Sequence, residues 1–316
     1  MTRSDMTARY KLFPGDCLET LRRAPDARFD ALITDPPAGI GYMGAGWDSD
    51  RGGRLQWVEW LTTVMRECNR TMKPGSHGLV WAIPRTSHWT MTALEDGGFE
   101  IRDVIQHLFG TGFPKSKWLD ADKTIGTALK PSSEFWILVR KKPEGSITKS
   151  HAKHDVGGLM ITDSKDGGRW PAHTTIDEQV AEDLGKFAKY FYCAKTNKRE
   201  REAGCESLPV HSPGENTDRK DGSAGLNNPR AGAGRTGQRH NRHPTVKPLE
   251  LMRYFVRLIS KPDQIIIDPF MGSGSTIIAA VLEGRRGFGF EAEDEYIKVA
   301  KARIEYWANQ TKGSNE

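Results

Sequence analysis

A chain of 316 residues with 37% hydrophobic content can bury one large core or two modest ones, which excludes a disordered tail. The opening "MTRSDMTARYKLF" has no apolar h-region, and no apolar run approaches the roughly 20 residues of a membrane span, so a cytoplasmic location is expected. Cys17, Cys68, Cys193 and Cys205 lack CxxC spacing, which argues against a disulfide framework or a metal site, and a net charge of +5 is too small by itself to announce nucleic acid.

From Tyr10 to about Lys142, "FDALIT", "HGLVWAI", "IRDVIQHLF" and "EFWILVRK" read as strands alternating with helical patterns. Val58, Leu61, Met65 and Cys68 share one face of a helix that "KPG" closes. Such alternation predicts an α/β sheet. Residues 143–242 turn polar. Their segment "HSPGENTDRKDGSAGLNNPRAGAGRTGQRHNRH" holds one leucine and no other large aliphatic, so a mobile loop is expected there. Between Ser223 and Lys247, Arg230, Arg235, Arg239 and Arg242 stand without an acid, a run able to neutralise phosphates. Order returns at residues 243–316. A helix with Leu249, Met252, Val256 and Ile259 precedes the strand "QIIID", the helix "STIIAAVLEG", the strand "RRGFGFE" and a last helix bearing Ile297, Ala300, Ile304 and Trp307.

In "QIIIDPFMGSGSTIIAA" a strand enters a glycine turn and then a helix N-terminus, a pattern suited to a nucleotide-like cofactor. A P-loop would need lysine where Gly274 stands, and a dinucleotide fingerprint would need glycine or alanine at Ile277. S-adenosylmethionine (AdoMet) has no phosphate, so its site needs glycine clearance without a full anion cradle. Glu291 follows Asp268 by roughly the 20 residues at which a carboxylate meets ribose hydroxyls.

These segments together resemble the DNA amino-methyltransferases, which modify adenine N6 or cytosine N4, in their permuted β arrangement. "TDPPAG" is similar to the catalytic D/N/S-P-P-aromatic motif, "HPTVKP" to the segment opening the cofactor half, "DPFMGSGST" to the AdoMet loop, and "FPGDCLETL" to the G-D segment on the adenine side of AdoMet. The resemblance implies a Rossmann-like, mostly parallel twisted sheet. Its catalytic half would be residues 1–142, its inserted target-recognition region 143–242 and its AdoMet-binding half 243–316. It further implies that Asp16, Cys17, Asp268, Phe270, Gly272, Ser273, Gly274, Ser275 and Glu291 hold AdoMet, with Thr245 and Lys247 near its methionine end. The substrate would be double-stranded DNA, contacted by the arginine run. A homodimer is also compatible, although the sequence names no interface.

The residues give an independent reason for the chemistry. An exocyclic amine is a poor nucleophile because its lone pair is delocalised into the base, so acceptors must hold both of its protons. Asp35 supplies a carboxylate and Pro36 a carbonyl; neither Pro36 nor Pro37 has an N–H to compete, and each proline restricts the residue before it. Ala38 stands where the motif has its aromatic, so Tyr42 is the expected stacking ring, with Trp47 and Phe113 as alternatives. Aspartate at the head of the motif favours adenine N6. Cytosine N4 stays open, as does a DNA-binding module that keeps the fold and AdoMet without turnover.

Overall fold

The computed structural model describes residues 9–42, 46–110, 112, 116–194, 200–212 and 239–310. Its strands are β1 (Tyr10–Pro14), β2 (Ala31–Thr34), β3 (His77–Ala82), β4 (Phe99–Leu108), β5 (Ser133–Lys141), β6 (Thr174–Asp177), β7 (Tyr192–Ala194), β8 (Ile265–Asp268) and β9 (Arg286–Glu291). They form one sheet in the order β1-β9-β8-β2-β3-β5-β4-β6-β7. Among the described residues only β5 runs against its neighbours, β3 and β4. The expected α/β, mostly parallel architecture is therefore present.

Burial explains why short apolar runs suffice as strands. Every residue of β2 and of β8 is buried, as strands covered on both faces must be. Side chains alternate across the sheet. Ala31, Ile33, Leu79 and Ile266 join one core, packed under α6 (Leu249–Ile259), α7 (Ser275–Leu282) and α8 (Asp294–Gln310). Leu32, Val80, Ile265 and Ile267 join the other, under α1 (Cys17–Arg23), α2 (Arg54–Thr71) and α3 (Ser87–Asp96). In α2 the predicted face of Val58, Leu61, Met65 and Cys68 is buried, joined by Trp57 and Val64. The short α1 and α3 have no such signature, because neither displays a long apolar period.

The polar stretch after residue 142 contributes α4 (Ile147–His154), α5 (Glu178–Leu184), β6 and β7, and β6 pairs with β4, so the sheet continues through it. The C-terminal strands insert among the N-terminal ones, with β8 beside β2 and β9 beside β1. The C-terminal ends of all the parallel strands thus meet along one edge, where open α/β sheets bind ligands, and reversed β5 brings its N-terminal end there as well. Among the described residues no helix is long and apolar enough to cross a membrane.

Candidate active site

A cavity of about 1270 Å³ opens along that edge. Its volume exceeds the roughly 300–1,000 Å³ of a single small-ligand site, leaving room for two reactants. Asp16 follows β1, Asp35 follows β2, Asp268 ends β8 and Glu291 ends β9, and all four line the cavity.

Backbone hydrogen bonds hold the glycine turn after β8. The Glu291 carboxylate accepts from Gly272 N at 2.9 Å and from Glu293 N at 2.9 Å. Asp268 Oδ1 accepts from Phe270 N at 3.1 Å. Burial is the first cause that pushes the Asp268 carboxyl up to about 7, against the hydrogen bonds from Thr276 and Thr34. Asp16 caps α1 by accepting from Leu18 N at 2.6 Å, and Gly15 N donates to the Glu291 carbonyl at 2.9 Å, joining the ends of β1 and β9. Cys17 also lines the cavity, but burial pushes its thiol up to about 12, so it is no nucleophile at neutral pH.

Gly274 needs a different explanation from ligand clearance. It caps α7 in the left-handed region, φ 81°, and a Cβ there would meet Ala300 Cβ at 3.2 Å and Ile304 Cδ1 at 3.3 Å. Its bare Cα thus admits α8, whereas Phe270, Gly272, Ser273 and Ser275 line the cavity. Buried Arg303 of α8 donates from Nη1 to the Ser273 carbonyl at 2.5 Å, supporting the turn from behind. No sequence motif announced Arg303.

At the other end of the cavity Asp35 Oδ2 lies 3.0 Å from Lys247 Nζ. That ammonium is also 3.8 Å from Glu134 Oε2 and 3.8 Å from the Trp81 ring centroid, and Trp81 Nε1 donates to Glu134 Oε2 at 2.7 Å. Lys247, expected beside the cofactor, is paired with Asp35; Thr245 lines the same cavity. Burial pushes the Asp35 carboxyl up to about 6; Lys247 opposes the rise, while Glu134 and Asp48 add to it.

The loop after the two prolines turns on Gly39 and Gly41, both at positive φ (69° and 60°). Asp48, buried and unforeseen, holds it: Oδ1 accepts from Gly39 N at 3.0 Å and Oδ2 from Tyr42 N at 2.7 Å. The Ala38 carbonyl accepts from Thr86 Oγ1 at 3.0 Å. Pro36, Pro37, Tyr42 and Trp47 line the cavity, and Trp47 shares a side-chain hydrogen bond with Tyr296. Phe113 lies outside the described residues, as do Arg230 and Arg235. Arg239 exchanges two backbone hydrogen bonds with His211, and Arg242 pairs with Glu295 at 2.7 Å, so part of its charge is already neutralised.

The lining fits AdoMet. A carboxylate wall of Asp35, Asp268 and Glu291 suits a sulfonium cation, and the glycine turn lets backbone approach it. The comparisons agree with that chemistry. Over 304 residues the chain is 24% identical to the DNA adenine methyltransferase YhdJ of Escherichia coli (strain K12), covering 92% of this chain and 81% of that protein. It is 33% identical over 309 residues to the type II methyltransferase M.ScaI of Streptomyces caespitosus, covering 95% and 82%. The solved PvuII DNA methyltransferase, described as cytosine-N4-specific, shares the fold at 17% identity with a TM-score of 0.57, covering 96% of this chain and 92% of that one. An M1.HpyAVI-SAM complex superposes with a TM-score of 0.51 at 18% identity, covering 93% and 99%. A family profile described as DNA methylase, of N6/N4 type, matches residues 29–302. Because that match runs from the entry into β2 through β9 and into α8, the chain belongs to the N6/N4 DNA methylase family, whose cofactor is AdoMet.

Proposed function

We propose that this DNA methyltransferase acts on adenine N6 of a base flipped out of double-stranded DNA, with Asp35 and the Pro36 carbonyl as acceptors for the two amine protons. The observation that carries the reading is the placement of Asp35 and the glycine turn on one cavity large enough for a base and a cofactor. Flipping costs a few kcal/mol, which stacking and hydrogen bonds inside the pocket must return. When bound, AdoMet supplies an electrophilic methyl group on a sulfonium. Asp35 holds the amine and turns its lone pair out of the ring plane, and Pro36 and Pro37 fix the acceptors by restricting the backbone. Asp16, Gly272, Ser273 and Glu291 would hold the cofactor, with Thr245 and Lys247 of the same cavity toward its methionine end. The region 143–242 selects the target sequence, and arginines from 230 to 242 contact phosphates.

Adenine is favoured over cytosine because an aspartate heads the motif. Hydrolysis of DNA methylated by the purified chain, followed by mass spectrometry of the nucleosides, tests the reading. N6-methyladenine is the expected product; N4-methylcytosine overturns the assignment of the base.

A further inference from the structure

Alanine at position 38 leaves the base pocket without the ring that the motif ordinarily supplies, and the cavity wall offers a replacement outside that motif. Trp81, near the end of β3, faces the cavity. Its indole N–H is bound to Glu134 on the adjacent strand at 2.7 Å, so the plane of the ring is set before any ligand arrives. Lys247 Nζ lies over that ring, 3.8 Å from the centroid, and 3.0 Å from Asp35 Oδ2.

The nitrogen of Lys247 therefore satisfies two conditions at once. It sits at hydrogen-bond distance from the catalytic carboxylate, within the roughly 2.7–3.2 Å of such bonds. It also sits at about the 3.5–4.0 Å that separates non-bonded atoms in contact, over an aromatic face. An exocyclic amine held by Asp35 on a base stacked against Trp81 would have its nitrogen in that same place. Both groups are N–H donors to the carboxylate; the ammonium is held at the ring face as a cation, and a base is held there by stacking. Tyr42 lines the same cavity from a loop whose backbone is fastened to Asp48.

We propose that Trp81 is the stacking platform for the flipped base, and that the Lys247 ammonium holds the amine's place until the base displaces it from the ring face. Glu134 acts as a positioning residue that keeps the indole in plane. The inference rests on the reading of Asp35 as the acceptor for the target amine.

The test compares the parent chain with Trp81→Phe, Trp81→Leu and Tyr42→Leu. Tritium transfer from labelled AdoMet to unmodified genomic DNA gives kcat and KM for DNA, and calorimetry gives AdoMet affinity. Trp81→Leu should lose about 5- to 150-fold in kcat/KM for DNA, the range expected when one base-aromatic stack is removed. Trp81→Phe should stay within about 3-fold of the parent, because the ring face does the stacking, and AdoMet binding should stay within about 2-fold in both. A Trp81→Leu chain as active as the parent overturns the proposal, as does a larger loss in Tyr42→Leu than in Trp81→Leu. A Trp81→Phe chain as damaged as Trp81→Leu also overturns it, since the indole N–H would then matter more than the face. If Asp35→Ala, which leaves no side-chain acceptor, retains full transfer, the reading of the acceptor fails instead, and the two failures are told apart.

Discussion

The Thr34 hydroxyl donates to Asp268 Oδ1 at 2.7 Å, a buried hydrogen bond between residues 234 apart in sequence. It ties the strand that delivers Asp35 to the strand that delivers the glycine turn. Thr34→Val should leave a buried carboxylate short of one donor and cost about 1–3 kcal/mol of stability. Urea unfolding checks that cost, and a calorimetric titration should show weaker AdoMet binding in the same variant.

Asp35→Ala should lower methyl transfer by at least about 10²-fold while AdoMet affinity stays within about tenfold, because this carboxylate works on the amine. The ionised form is the stronger acceptor, because protonation turns one of the two oxygens into a donor. With Asp35 pushed up to about 6 by burial, kcat/KM should rise with pH through about 6 and level off above it. The groups bearing on it are Lys247, Glu134, Asp48 and Asp268. Lys247→Met removes the cation that opposes the rise, so the acid limb should move to higher pH; an unmoved limb would assign it to another group.

Gly274→Ala should cost about 1–3 kcal/mol through its left-handed backbone and the close approach of Ala300. Thermal unfolding without cofactor is the discriminating measurement. A variant with parental stability that fails only in AdoMet binding would restore ligand clearance as the reason for the glycine.

Asp268 makes stability depend on pH. Its folded-state value, about 7, lies above the ordinary 3.8, so the folded chain binds the extra proton between those limits. Its contribution is fully present below about 4 and is lost as pH rises through about 7. Asp268→Asn should therefore flatten the decline in melting temperature of the cofactor-free protein between roughly pH 4 and 7. A parent and variant with parallel profiles would count against a buried, proton-holding Asp268.

Glutamine at Arg230, Arg235 and Arg239 should weaken binding to every duplex alike. The slope of log affinity against log salt should flatten by about one for each of these arginines that neutralises a phosphate. Arg242→Gln should do less, because Glu295 already pairs with that guanidinium. Gel retardation over a salt series measures the slopes; a loss confined to one sequence would indicate base readout.

Apolar runs, the D-P-P turn and the glycine turn are local chemistry, and for that reason the sequence by itself determined the α/β alternation and the positions of Asp35, Asp268 and Glu291 at strand ends. A strand covered on both faces is an almost unbroken apolar run, and a turn at positive φ favours glycine, whatever the rest of the chain does. Asp48, Trp81, Glu134 and Arg303 carry no such signature. Trp81 and Glu134 meet because β5 enters the sheet reversed beside β3, bringing the start of one strand to the end of the other. Lys247 reaches Asp35 because β8 lies beside β2, folding the C-terminal segment over the N-terminal one. Strand order is settled by the packing of two cores against opposite faces of the sheet. That energy is summed over contacts distant in sequence, so only the tertiary structure could decide which side chains surround the Asp35 carboxylate.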